Sequence, residues 1–527
     1  MTIGDLLSQR AREQPGTPAL IDAKSGRSLA FAELEREVVA ATAWLRRRGL
    51  SRGDAVLVFV PMSLELYVAL LAMFRLGVVG LFLDPSAGVE HMERCCARWA
   101  PKAFLAIRKA HLLRLKSGAL RRIPLKISVG GWMWGAHRWP REVINDVGAA
   151  EPPGEAGVGE ADPALVTFTS GSTGVPKGAV RTHGFLLAQY RALAPNIGLA
   201  RGDVDLATLP VFTLANLAAG ISTVIPDLDL RRPGAVCGAN VFQQVERHGV
   251  TRITASPAFF ERMLAHGRTA GRTLGSLRKL HTGGAPVFPG LLHGLRQLAL
   301  AAQVVAVYGS TEAEPIAHLG ADEISEEDLA AMRAGRGLLA GHPVPEIAVR
   351  VIEDRWGTAL GRLSPEAFAG MEMGTGNAGE IVVSGAHVLP GYLGGVGDEE
   401  TKFRVGDVVW HRTGDAGCFD DHGRLWLLGR CAARIDDAQG RLYPFTVECA
   451  AMAVMGVRRA AALSLNGRRT LAIETECTGA ATTDIAGQVR AAVSWAYVED
   501  VRVVDALPLD ARHNAKIDYV ALRKQFG

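Results

Sequence analysis

One long stretch of this chain lacks acidic residues: none occurs between Glu93 and Glu142. Over the whole chain the signs nearly balance. There are 58 Lys and Arg against 54 Asp and Glu, and a net charge of +4 gives no reason to expect a nucleic-acid partner. Cysteine is scarce, seven in 527 residues, with Cys95 and Cys96 adjacent and Cys418 and Cys431 the next nearest pair. Neither C-x-x-C nor H-E-x-x-H occurs, which argues against a zinc site or a disulfide framework and for a reducing, cytoplasmic location. Met1-Thr2-Ile3-Gly4-Asp5 lacks the basic start and apolar core of a signal peptide, so none is expected.

Long hydrophobic runs are also few. Leu66 to Leu83 comes close to membrane-spanning length, but Arg75 and Gly77 interrupt it and Asp84-Pro85 ends it. The better parse is a strand at Val56–Val60, a helix at Ser63–Leu76 capped by Ser63, and a strand at Val78–Leu83. What is present is ordinary globular composition, 48% hydrophobic and 21% charged, in a chain long enough for two or more units.

Strand patterns at Ala164–Phe168, Asp205–Leu209, Arg252–Ala255, Lys279–Thr282 and Gln303–Val307 alternate with helical ones. The helices are expected at Gly184–Leu193, Pro257–His266 and Pro289–Ala301. This order predicts an α/β fold with largely parallel sheets and ligands at the carboxyl ends of strands. After Ser364 the texture changes. Strands at Glu380–Val383 and Arg424–Leu428 lead to a small α+β unit with strands Ala460–Leu465, Thr470–Thr475 and Val501–Val504 and a helix Thr483–Trp495. The expected domains are 1–429 and 430–527, with a mobile joint between them.

The strongest local signal is the segment Thr167 to Gly178, which contains Thr169-Ser170-Gly171-Ser172-Thr173-Gly174 and Lys177. It follows a strand and supplies hydroxyls, backbone N–H groups and one cation, a set suited to wrapping phosphate oxygens. Pro176 stands before the lysine, so it is not a Walker A loop. Gly374-x-Gly376-x-x-Gly379 matches a dinucleotide fingerprint, but it precedes a strand where that fingerprint joins strand to helix, so the match is accidental.

The phosphate-loop segment resembles that of the adenylate-forming superfamily of acyl-CoA synthetases, peptide-synthetase adenylation domains and luciferases. Three further motifs follow in the family's order: Tyr308-Gly309-Ser310-Thr311-Glu312, Arg412-Thr413-Gly414-Asp415, and Asn514-Ala515-Lys516-Ile517. The resemblance implies a large amino-terminal domain of stacked α/β sheets, a small mobile α+β carboxy-terminal lid, and use of ATP with Mg2+. It assigns Glu312 to the metal and Tyr308 to adenine, beside Gly283-Gly284-Ala285-Pro286. Asp415 falls to the ribose, with Arg430 near the domain joint, and Lys516 to neutralising the carboxylate and α-phosphate. Lys177, Glu312 and Lys516 are the expected catalytic residues, a set that fits the need to bring two anions together.

Three departures narrow the resemblance. Thr213 follows Pro210-Val211-Phe212 where many relatives have histidine, and Ala432 stands where thioester-forming relatives usually carry Asp or Lys. The last motif reads Asp510-Ala511-Arg512-His513-Asn514-Ala515-Lys516-Ile517. With Ser222-Thr223-Val224-Ile225-Pro226-Asp227, these features are similar to the β-lactone synthetases of bacterial long-chain olefin biosynthesis. That similarity implies a long-chain β-hydroxy acid whose own hydroxyl displaces AMP to close a lactone. The alternatives are an acyl-CoA or fatty acyl-AMP ligase and a catalytically silent assembly scaffold. Phe212, Leu214 and Leu217 are candidates for an acyl pocket, with core packing the default. His513 is a candidate base for the hydroxyl proton, with a surface or packing role equally open.

The acid-free stretch interleaves many Arg and Lys residues with Trp132, Trp134 and Trp139. The expected account is a solvated Arg-rich face with buried tryptophans. The alternative is docking on an anionic membrane or on other enzymes of the same pathway.

Overall fold

The computed structural model describes residues 2–84, 87–140, 157–170, 176–475, 481–509 and 516–526. They form two compact units: residues 1–227, 248–250 and 389–399, and residues 228–247, 251–388 and 400–527.

In the first unit a seven-stranded sheet has the order His137–Arg138, Leu125–Val129, Ala103–Ile107, Ala55–Phe59, Val79–Phe82, Pro163–Ser170, Pro176–Thr182. Every neighbouring pair is parallel except the last, which is antiparallel. A second group places Ser222–Ile225 parallel to both Val204–Ala207 and Pro18–Asp22, with Ser28–Ala30 antiparallel to Pro18–Asp22. The apolar run resolves as strand, helix and strand. Ser63 accepts a hydrogen bond from the Leu66 N–H at 3.2 Å, and Gly77 ends the helix Leu64–Leu76 in the left-handed region at φ 70°. Eleven of its thirteen residues are buried, and Arg75 pairs with Glu35 at 2.8 Å, so this is a core helix. Among the described residues no helix is long and apolar enough to cross a membrane.

The second unit begins with the parallel strands Arg252–Ala255, Lys279–Gly283 and Gln303–Tyr308. From there the sheet turns antiparallel through Ala317–Gly320, Leu338–Pro343, Leu425–Arg430, Val408–Phe419, Gly379–Ser384 and Ala348–Ile352. Residues 430–527 belong to this unit and add a three-stranded sheet of Val457–Leu465, Arg468–Thr475 and Asp500–Val504. Its hairpin turns on Asn466-Gly467 at φ 51° and 75°, the left-handed pair that a two-residue turn requires. Helices Pro444–Met452 and Ala481–Ala492 supply residues to its core, which includes Val447, Leu471, Ile473 and Val489.

The architecture is therefore the expected mixed α/β one. Pro289–Leu298 stops short of the expected Ala301, and Ala481–Ala492 is followed by a separate 3-10 turn, Ser494–Ala496. Of the three tryptophans expected to be buried, Trp139 alone is, packed edge-on against Trp44 at 5.4 Å. Trp132 and Trp134 are 69% and 72% exposed.

Candidate active site

In the first unit, strands Pro163–Ser170 and Pro176–Thr182 form the two arms of the hydroxyl-rich loop, with Thr169 opposite Lys177 and Ser170 opposite Pro176. Gly171, Ser172, Thr173 and Gly174 lie outside the described residues. Lys177 is buried, with Nζ 5.9 Å from the Tyr392 ring centroid. Gly397, at φ 97°, lets the segment 389–399 pass over the lysine stem: a Cβ there would lie 2.6 Å from Lys177 Cδ and Cε.

The second unit assembles the other motifs at strand ends. Gly283 ends one strand opposite Val307 of the next, so close that a Cβ would sit 2.5 Å from the Val307 carbonyl oxygen. Gly284 follows at φ +81° with open space where a side chain would be, and Ala285-Pro286 continues the loop. Tyr308 ends the strand beside it, and its hydroxyl donates to Asp415 Oδ2 at 2.8 Å. Burial and then the Asp415 charge push the phenol well above its usual value, so it remains a donor at neutral pH.

Asp415 sits opposite Arg430 on the neighbouring strand, and Arg430 Nη1 donates to Asp415 Oδ1 at 2.8 Å and to the Thr413 carbonyl at 3.1 Å. The preceding residues hold this geometry. Arg412 is fully buried and makes a two-pronged bond to Glu380, Nε to Oε1 at 2.8 Å and Nη2 to Oε2 at 2.6 Å, while Nη1 donates to the Thr358 carbonyl at 2.6 Å. Thr413 Oγ1 donates to the Ile381 carbonyl at 2.8 Å and accepts from the Asp415 N–H at 3.1 Å. Gly414, at φ +70°, leaves room for the Trp356 ring, which a Cβ would approach to 2.9 Å. Glu380, expected only as the start of a strand, and Trp356 are not among the site residues the sequence points to. Their only signal was an acidic and an aromatic residue in an otherwise unremarkable stretch.

Glu312 lies in a tight loop that begins at Gly309. The Ser310 N–H donates to the Ala313 carbonyl at 2.7 Å, and Ser310 Oγ accepts from the N–H groups of Glu312 at 3.3 Å and Ala313 at 3.2 Å. Thr311 is part of the same turn. The Ile316 N–H then returns to the Tyr308 carbonyl at 2.8 Å. His411, one strand position before Arg412, is buried and held neutral, lowered to about 3 by burial first and Lys402 second. The charges of Glu312 and Asp415 both act on it in the opposite sense, so these two carboxylates share one neighbourhood. The hard carboxylate oxygens of Glu312 are of the kind that suits Mg2+, which keeps several of its waters.

Lys516 is exposed, just before the helix Tyr519–Gln525. Around it, Ile517 bridges to Leu509, the Asp518 N–H donates to the Pro508 carbonyl at 2.9 Å, and Tyr519 donates to the buried Glu448 at 2.5 Å. Residues 510–515, which include His513, lie outside the described residues. Hydrogen bonds thus join Tyr308, Asp415 and Arg430, the loop after Tyr308 carries Glu312, and Lys516 stands on a separate element.

Phe212, Leu214 and Leu217 are core residues: Phe212 packs with Leu193 and Ile197, and the other two lie in the main core of the first unit. Thr213 is buried and accepts from the Tyr67 hydroxyl at 3.0 Å. Gly379 starts a strand and approaches the Ile352 carbonyl too closely for any side chain, which gives it a packing role.

The family model described as AMP-binding enzyme matches residues 7–393. The chain belongs to the AMP-binding enzyme family. It is an adenylate-forming enzyme that activates an acid at the expense of ATP. An olefin beta-lactone synthetase of Stenotrophomonas maltophilia is 32% identical over 93% of this chain and 90% of its own length. One from Xanthomonas campestris pv. campestris is 32% identical over 93% and 89%. A 4-coumarate–CoA ligase of Oryza sativa subsp. japonica is 27% identical over 88% and 80%. Among solved structures, an amide bond synthetase from Marinactinospora thermotolerans superposes with a TM-score of 0.81 at 22% identity, covering 99% of each chain. An O-succinylbenzoate coenzyme A synthetase from Bacillus subtilis, in complex with ATP and magnesium ion, gives 0.75 at 23% identity, covering 99% and 98%. These two likenesses concern the fold.

Proposed function

We propose that this AMP-binding enzyme converts a long-chain β-hydroxy acid to a β-lactone. The observation that carries the reading is the 32% identity, over 93% of the chain, to two proteins named olefin beta-lactone synthetases. Ala432, exposed in the short 3-10 turn Cys431–Ala433, and Thr213 in place of histidine support it. In the first step a carboxylate oxygen attacks the α-phosphorus of ATP and pyrophosphate leaves. In the second the β-hydroxyl oxygen attacks the acyl carbon, the C–O bond to AMP breaks, and the hydroxyl proton is lost.

Thr169 to Gly174 and Lys177 are assigned to the phosphates, and Gly283 to Pro286 with Gly309 to Thr311 to the walls of the base site. Asp415 accepts from the ribose hydroxyls, with Tyr308 and Arg430 fixing its carboxylate. Glu312 is assigned to Mg2+, which would neutralise phosphate charge when bound. Lys516 supplies a cation to the reacting oxyanions, carried by a lid comprising 430–527 that closes on 1–429. An internal nucleophile needs only local alignment, which can amount to an effective molarity of about 10⁵ M or more before ring strain lowers it.

The test is product analysis with and without CoA. A β-hydroxy acid should yield lactone, AMP and pyrophosphate without CoA, while a plain fatty acid of equal length should stop at bound acyl-AMP. Robust acyl-CoA from the plain acid, with no lactone from its β-hydroxy analogue, would assign the enzyme to CoA ligation instead.

A further inference from the structure

The acid-free stretch lies within the first unit and presents two apolar tips. One is the 3-10 helix Leu112–Leu115, where Leu112 and Leu115 are 55% and 71% exposed. The other is the loop between strands Leu125–Val129 and His137–Arg138, which carries the exposed Trp132 and Trp134.

The tips are braced together. Arg114 is itself buried, and it donates to the carbonyls of Trp134 at 2.6 Å and Gly135 at 3.4 Å, with its guanidinium 5.9 Å from the Trp134 ring centroid. Arg108 packs on Gly131, where a Cβ would come within 3.1 Å of its Cδ. Ser128 Oγ donates to the Gly131 carbonyl at 2.8 Å. Arg108, Lys109, Lys116, Arg121 and Arg138 are exposed on the same segment, and none forms an ion pair among the described residues.

Two large aromatics and two leucines on braced tips, with unpaired cations on the same segment, have the composition of a bilayer interface, where Trp sits at headgroup depth and Arg and Lys meet anionic lipid. We propose that this face docks the enzyme on an anionic lipid bilayer. Trp132, Trp134, Leu112 and Leu115 enter the boundary between headgroups and acyl chains, and the cations meet the headgroups. An acidic protein partner fits less well. The carboxylate that bounds the stretch, Glu93, is taken up by Ser117 and the Ala119 N–H, and the aromatic tips project outward where a protein hot spot would bring a pocket. The proposal stands on this surface alone and is independent of which acid the enzyme activates.

Co-sedimentation of the full-length enzyme with vesicles tests it, using phosphatidylcholine alone and phosphatidylcholine mixed with phosphatidylglycerol. Binding to the mixed vesicles at low salt, weakened by added salt, is expected. The double variant Trp132→Ala/Trp134→Ala should bind about tenfold or more weakly with an unchanged melting temperature, since both side chains are exposed. Lys109→Gln/Lys116→Gln should lose binding to the anionic vesicles by about tenfold as well. No binding to anionic vesicles at low salt, or undiminished binding by the tryptophan double variant, would overturn the proposal. Salt-sensitive capture by polyglutamate with no vesicle binding would assign the face to an acidic protein and also overturn it.

Discussion

Single residues carry the proposed chemistry or hold the fold, and one of each kind makes a sharp prediction. Lys516 is exposed, so Lys516→Ala should leave the melting temperature unchanged. ATP–pyrophosphate exchange should fall by about 10²-fold or more, the scale of a lost charge partner in a transition state. Unchanged exchange would remove Lys516 from the mechanism. Glu448 behaves differently because it is buried. Its carboxyl is raised to about 7 by burial, against hydrogen bonds from Tyr519 and the Ala462 N–H that favour the anion. A raised folded-state value means the proton is held more tightly in the fold. Its contribution to stability is complete below the ordinary value of 4.5 and is lost as pH rises to about 7. Thermal denaturation should therefore show the parent losing stability between those limits relative to Glu448→Gln, which keeps an acceptor and cannot titrate. Parallel curves for the two proteins would refute this. Residues of this kind were invisible in the sequence. A glutamate in Val447-Glu448-Cys449 becomes special only when Tyr519, far along the chain, is packed over it.

At the scale of elements, much was legible because strand and helix periods are local. Arg252–Ala255 was read with its observed limits, and Ser63 and Gly77 marked the ends of the core helix. The misread ends have tertiary causes. Nothing in Ala299-Leu300-Ala301-Ala302 signals a stop, yet the backbone leaves the helix at Ala299 to enter the strand at Gln303. Likewise the last turn before Trp495 breaks at Val493, and the Trp495 ring lies over Gly335, a glycine at φ 90° with no space for a side chain. The motif strands show the same division. Asp415 was readable as an acid in a known arrangement, but the Arg412–Glu380 pair that anchors it required knowing which strand lies alongside. Gly283 and Gly284 offer a comparison within one loop. Gly283→Ala forces apart two paired strands and should cost about 1–3 kcal/mol and raise the KM for ATP. Gly284→Ala meets open space and bears only its left-handed backbone, about 1 kcal/mol. Calorimetry and ATP titration of both variants check the order, and a costlier Gly284 change would contradict it.

At the scale of the molecule, the expected division at residue 429 follows the change to a small α+β pattern, whereas the packed units divide the chain elsewhere. One buried group ties the residues just past 429 to the sheet before them. Asp354 accepts from the Trp356 N–H at 3.0 Å, Arg434 at 3.2 Å and the Tyr443 hydroxyl at 2.8 Å. Asp354→Ala removes the acceptor that Arg434 and Tyr443 share, and because Arg434 keeps Asp436 at 3.0 Å the cost should be about 1–3 kcal/mol. A lower melting temperature with faster proteolysis between Arg430 and Tyr443 is expected. Loss of stability without new cleavage there would show that the group supports the sheet and not the joint. The exposed tryptophan face, finally, bears on kinetics. An enzyme resting on a bilayer meets a lipid-dissolved acid in two dimensions, so its rate would follow the mole fraction of acid in the membrane. Diluting that acid with inert phospholipid, at constant bulk concentration, would then slow turnover as though substrate had been withdrawn.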